Sequence, residues 1–181
     1  MKKSAQIVFM VFSLVMGALV LFLCFYMLFG QEKPTTSPEP ITKINQTYEG
    51  SWINATAFDI KAFAPSDLKQ NNEILVILGF EVKNISSKGP FSVNPSIYEV
   101  YVDDMAATKN SLSGYSQCLD VSKLAIGKRA KGYWGANIPA DTKKLEIHIK
   151  DGYGTDTSAV FILDVPPVES ITPDEYFASI D

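Results

Sequence analysis

The chain is short of the residues from which catalytic and metal sites are most often assembled. Among 181 residues it has one histidine, His148, and two cysteines, Cys24 and Cys118. One imidazole rules out any mechanism that needs two, and two cysteines cannot make a disulfide framework. A basic surplus is missing as well. The formal net charge is −4, and from Gln31 onward 14 basic residues stand against 20 acidic ones. Such a surface offers nothing to a nucleic acid, and no nucleic-acid partner is expected. Acidic residues are absent before Glu32, and charge of either sign is absent from Ile7 to Phe29.

That last absence is also the strongest positive feature. Ile7 to Phe29 is an apolar run of 23 residues with Ser13 as its one polar side chain. As a helix it would span roughly 35 Å, enough for a hydrocarbon core of about 30 Å. Lys2 and Lys3 precede it, and the positive-inside bias then leaves the N-terminus in the cytoplasm and sends the remainder outward. Cleaved secretory signals have shorter apolar cores that end in small residues, whereas this run exits through Tyr26-Met27-Leu28-Phe29-Gly30. The expectation is an uncleaved signal-anchor helix within residues 1–30. Leu21-Phe22-Leu23-Cys24 resembles a lipoprotein box, but Leu23 is large where a small residue is wanted. The start Lys2-Lys3-Ser4-Ala5-Gln6 lacks the glycine and glutamate of pilin-type precursors. Ser13 and Gly17 form a small-xxx-small pair, a face through which two such helices would form a homodimer.

Beyond the run, residues 31–46 hold Pro34, Pro38 and Pro40 among Thr, Ser and Glu, and read as a stalk. Residues 47–166 read as one β domain. The segments Trp52–Phe63, Ile74–Val82, Phe91–Val93, Ile97–Val102, Lys131–Ile138, Leu145–Ile149 and Ala159–Val165 are rich in β-branched and aromatic residues. Turn signals such as Asn84 to Pro90 and Asp103-Asp104 separate them. Val76, Leu78, Phe80 and Val82 share one strand face, and Leu145, Ile147 and Ile149 alternate with Glu146, His148 and Lys150. The segment from Lys109 to Leu119, with Ser111, Ser113, Gly114 and Ser116, reads as a long surface loop and as the binding surface. Seven or so short strands without a helical period make the fold class mainly β, a two-sheet sandwich rather than an open barrel. Residues 167–181 read as an acidic tail, in which Thr172-Pro173-Asp174-Glu175 is a capping-box start for a short helix. Tyr176, Phe177 and Ile180 would dock that helix.

Val82-Lys83-Asn84-Ile85-Ser86, Phe91-Ser92-Val93 and the strand from Ile97 to Asp103 resemble a family of small extracytoplasmic immunoglobulin-like domains of unknown function. Its members occur in prokaryotic lipoproteins and membrane-anchored surface proteins. Leu124-Ala125-Ile126-Gly127, Gly132-Tyr133-Trp134, Ile138-Pro139-Ala140 and Leu145-Glu146-Ile147 are similar to that family's closing hairpin. The likeness spans roughly Tyr48 to Val165, with Ile126 where members usually place a proline. It implies an immunoglobulin-like β-sandwich in an extracytoplasmic setting and no catalytic residues.

Chemistry-bearing clusters are few. His148 sits on the solvent side of its strand pattern, with no motif that places a nucleophile beside it. Asp151-Gly152-Tyr153-Gly154-Thr155-Asp156 has the oxygen content of a calcium loop. It lacks a following bidentate glutamate, and a hairpin turn explains its glycines. Asp103-Asp104 reads as a turn for the same reason. Lys128, Arg129 and Lys131, with Lys123 upstream, read as lysine protection of an edge strand, or as a contact for anionic envelope polymer or lipid headgroups. Asn45, Asn54 and Asn84 each begin an Asn-x-Ser/Thr triplet, and Cys118 reads as a buried thiol or as an intermolecular link. No catalytic, cofactor or metal residues are assigned. The function expected is a membrane-anchored, non-catalytic extracytoplasmic module for binding or assembly, with a cell-envelope polymer or protein as partner. The alternative is a structural subunit of a pilus-like filament or secretion complex.

Overall fold

A computed structural model of the chain describes residues 39–64, 72–152 and 158–180. The apolar run Ile7 to Phe29, with Cys24 and the Ser13/Gly17 pair, lies outside them, as do residues 153–157. Among the described residues no helix is long and apolar enough to cross a membrane.

The strands form where β-branched and aromatic residues alternate. In chain order they are β1 (Thr47–Glu49), β2 (Ile53–Phe63), β3 (Glu73–Asn84), β4 (Phe91–Val93), β5 (Tyr98–Val102), β6 (Met105–Ala106), β7 (Thr108–Asn110), β8 (Val121–Leu124), β9 (Arg129–Pro139), β10 (Lys144–Lys150), β11 (Ser158–Asp164) and β12 (Val168–Glu169). A 3-10 turn, Pro95–Ile97, precedes β5, and one short helix, α1 (Pro173–Ser179), closes the chain. One sheet runs β1-β2-β3-β9-β7, with β12 pairing alongside β2, and a second runs β11-β10-β5-β6. Apart from the parallel β12–β2 pair, the strand pairings of these sheets are antiparallel. The small β4–β8 ribbon is antiparallel too.

Period-2 patterning fixes which faces meet. Val76, Leu78, Phe80 and Val82 of β3, with Trp134, Ala136 and Ile138 of β9, face Tyr98 and Val100 of β5. Leu145, Ile147 and Ile149 of β10 and Phe161 of β11 complete the same core. Trp134 stacks on Tyr98 at 4.5 Å between ring centroids, and Phe80 meets the Phe161 ring edge-on at 5.3 Å. The polar tips of these rings stay bonded: the Trp134 indole N–H donates to the Leu119 carbonyl, and the Tyr98 hydroxyl to that of Gly135. The molecule is a mainly β protein built as two packed, largely antiparallel sheets.

β2 does not keep one parity along its length. Ile53, Ala55 and Ala57 point into the core, then Ile60 and Ala62, because the register with β3 slips between Ala57 and Asp59. The bulge sets Phe58 and Asp59 side by side on the outer face. A second apolar cluster grows there from Phe63, Ile77, Leu112, Tyr176 and Phe177, with Tyr115 and Tyr133 packed against it. α1 supplies two of these rings and is held by a complete capping box, Thr172 Oγ1 accepting from Glu175 N–H and Glu175 Oε2 from Thr172 N–H. Tyr176 and Phe177 dock as expected, whereas Ile180 is 42% exposed and takes no part.

Two expected boundaries shift. Ile41, placed by sequence in the stalk, is buried: its N–H donates to Val160 O and its carbonyl accepts from Ile162 N–H, alongside β11. The segment read as a tail contributes β12 and α1 to the folded unit, which takes in residues 38–181.

Candidate functional site

The Lys109 to Leu119 segment is not the plain surface loop expected. Its start belongs to β7, and Leu112 and Leu119 are buried at 3% and 1% exposure. Leu112 adopts φ 50°, with its N–H bonded to Asn110 Oδ1, which turns an apolar side chain inward from a polar stretch. Cys118 bridges to Tyr133, and Tyr133 N–H donates to Gln117 O at 2.9 Å. That close crossing needs Gly132, where a Cβ would lie 2.6 Å from Gln117 O.

The segment does line a groove, about 860 Å³ in volume, between Asn110–Tyr115 and residues 169–174 at the outer end of β3. Asn110, Asn137, Ser111 and Thr172 give it hydrogen-bonding groups, and Tyr115 gives it an aromatic wall packed on Phe177 at 4.3 Å. Glu73, Glu169 and Asp174 are its charged members, and none of the described lining residues is basic. Glu169 is paired with Lys61 at 2.8 Å, a hydrogen bond that also raises the Lys61 pKa. Asp174 accepts the Tyr115 hydroxyl at 2.7 Å, and that bond, helped by burial, pushes the phenol up to about 12. Nearby on the outer face, Tyr176 donates to Asp59, and burial first, then that bond, pushes its phenol far above the usual range. The groove suits a neutral or cationic polar ligand.

The other residues singled out by sequence have structural occupations. His148 is half-buried on β10, paired through Nε2 with Glu146 and edge-on to Tyr101 at 5.1 Å. No serine, threonine or cysteine is bonded to it among the described contacts. Of the Asp151–Asp156 loop the described residues are Asp151 and Gly152, and Asp151 has a structural task. It is buried, with Oδ1 accepting from Trp52 N–H (2.8 Å) and Ile53 N–H (2.9 Å), and Oδ2 from Ser51 N–H (2.7 Å) and the Tyr48 hydroxyl (3.2 Å). Burial, with Asp151 beside it, pushes the Tyr48 phenol up to about 12. Asp103 and Asp104, at φ 48° and 67°, form the β5–β6 hairpin turn. β7 flanks β9 only over Gly135–Asn137, and the basic start of β9, Arg129 to Lys131, pairs with Lys83 to Glu81 of β3. Arg129 pairs with Glu81 at 3.1 Å, and the Lys131 ammonium sits 4.3 Å from the Phe58 ring centre. Asn84 is buried and spends its amide on the Gly89 and Leu124 carbonyls, which removes it as a glycan acceptor. Cys118 is half-buried, its thiol donating to Ser111 O and shifted upward by burial. Among the described residues no cluster of His, Cys, Asp and Glu has the arrangement of a metal site.

No family model matches the chain, and no curated protein matches it in sequence. Solved structures do match it in fold. A candidate lipoprotein of Bacillus subtilis, ycdA, superposes with a TM-score of 0.58 at 17% identity. The match covers 76% of this chain and 42% of ycdA. The yjhA protein of the same organism superposes at 0.52 with 16% identity, over 70% of this chain and all of its own. The chain thus spans about two fifths of the length of ycdA. Likeness at this identity shows the fold alone, an architecture shared with these two Bacillus subtilis proteins.

Proposed function

We propose that the chain is a bitopic membrane protein that displays a non-catalytic, immunoglobulin-like β-sandwich outside the cell for binding or assembly at the surface. The observation that carries this reading is the charge-free run Ile7 to Phe29, preceded by Lys2 and Lys3, ahead of a sandwich that resembles a candidate lipoprotein in fold. The groove beside Asn110 and Tyr115 is its binding surface, and its carboxylates favour an uncharged or cationic partner group over an anionic polymer. The roles found for His148 and Asp151, a strand-face pair and a buried cap, also fit a module without chemistry of its own.

Protease added to intact cells of a bacterial host without an outer membrane tests the topology. The expected result is loss of the sandwich with a short N-terminal fragment left in the membrane fraction. A chain fully protected in intact cells, or one released into the medium with its N-terminus beyond Gly30, would overturn it.

A further inference from the structure

The two ends of the sandwich carry different charge. At one end β2 begins, β3 stops and β9 begins, since Ile53 pairs with Asn84 and Lys83 with Arg129. β10 ends and β11 starts there too, with Lys150 opposite Ser158, and Asp151 ties the end together by capping Ser51, Trp52 and Ile53. Two loops project from it. In one, Ile85 is 37% exposed and leads to Lys88, whose ammonium lies 5.2 Å from the Trp52 ring centre. In the other, Lys128 N–H closes a turn onto Ala125 O, with Gly127 at φ 74°, and Ile126 stands at the tip, 51% exposed. Gly127 N–H donates to Asn84 O and Asn84 N–H to Lys128 O, so the loops are fastened side by side.

Lys88, Lys123, Lys128 and Lys150 are exposed at this end, with Lys83 half-buried and Arg129 paired to Glu81. Glu39 and Glu49 lie there as well, and Glu99, one residue into β5, is paired with Lys109. The opposite end shows Asp103, Asp104, Asp141 and Asp164 against Lys143 and Lys144. A chain that is acidic overall has therefore gathered basic side chains around two exposed isoleucines.

The path of the chain selects what would cover that end. Ile41 runs parallel to β11 beside Phe161, so Glu39 and Pro40 are level with the start of β11, at the basic end. Nine residues, 30–38, separate Glu39 from the apolar run, a tether of about 35 Å at most when fully extended. We propose that this end is a membrane-facing surface, on which Ile85 and Ile126 enter the headgroup region of an anionic bilayer and Lys88, Lys123 and Lys128 meet its phosphates. Trp52 beside Lys88 places an amphipathic ring at the depth such rings favour. The proposal rests on the membrane-anchored reading above.

The full chain, reconstituted into vesicles of phosphatidylcholine alone or mixed with phosphatidylglycerol, tests the two separately. Flotation reports the anchor, and hydrogen exchange over residues 84–90 and 123–129 reports the docking. The expected result is flotation with both compositions and slowed exchange only with phosphatidylglycerol. Each of Lys88→Gln, Lys123→Gln and Lys128→Gln should lower the docked-to-undocked ratio roughly fivefold. Flotation with the same exchange in both vesicle types would overturn the docked surface alone. A chain that floats with neither would overturn the anchor and the docking together.

Discussion

Asp151 shows how one carboxylate holds an end of the sandwich together. Three consecutive backbone N–H groups, of Ser51, Trp52 and Ile53, converge on it with the Tyr48 hydroxyl. Asp151→Asn puts an amide N–H among donors and should cost roughly 3 kcal/mol, read as a lower urea midpoint. An unchanged midpoint would mean that water replaces the cap. The raised phenols give a pH dependence with a definite sign. Tyr48 and Tyr115 titrate near 12 when folded and near 10 when unfolded, so above pH 10 the unfolded chain loses its protons first. Their contribution is complete below about pH 10 and disappears as pH rises through 12. Denaturation midpoints measured in that window should fall steadily, and Tyr115→Phe should flatten the fall.

Among the elements, those with one dry face were readable in the sequence. Leu145, Ile147 and Ile149 alternate with polar residues because β10 has solvent behind it, and the capping box of α1 is a local signal complete within four residues. The segment ending at Leu119 was not readable, because Leu112 and Leu119 are buried by contacts with distant strands and follow no period. The place of the bulge in β2 is set by pairing with β3 and has no local signal in the chain. The capping role of Asp151 was not readable for the same reason, its partners lying about a hundred positions away. Gly132→Ala tests the least readable element. The added methyl meets the Gln117 carbonyl and the Leu119 backbone, which are not flexible side-chain ends. A loss of about 1–3 kcal/mol is expected, with faster amide exchange at Leu119 and Tyr133.

At the scale of the molecule, the two apolar clusters are unequal partners on opposite faces of one sheet. The inner cluster is shared by both sheets, while the outer one depends on α1 for Tyr176 and Phe177. Loss of the terminal segment should therefore spare the sandwich and strip its outer face. Phe177→Ala is expected to cost about 3–5 kcal/mol, since its ring packs against Tyr115, Tyr133 and Tyr176 at once. A chain stopped after Val165 should keep its β-sheet circular dichroism and the late titration of Tyr98, whose phenol is buried between the sheets. It should also gain dye binding and self-association through the uncovered Phe63, Ile77 and Leu112. Loss of the sheet spectrum in that truncation would mean that both clusters fold as one unit, with α1 as part of the core rather than its cover.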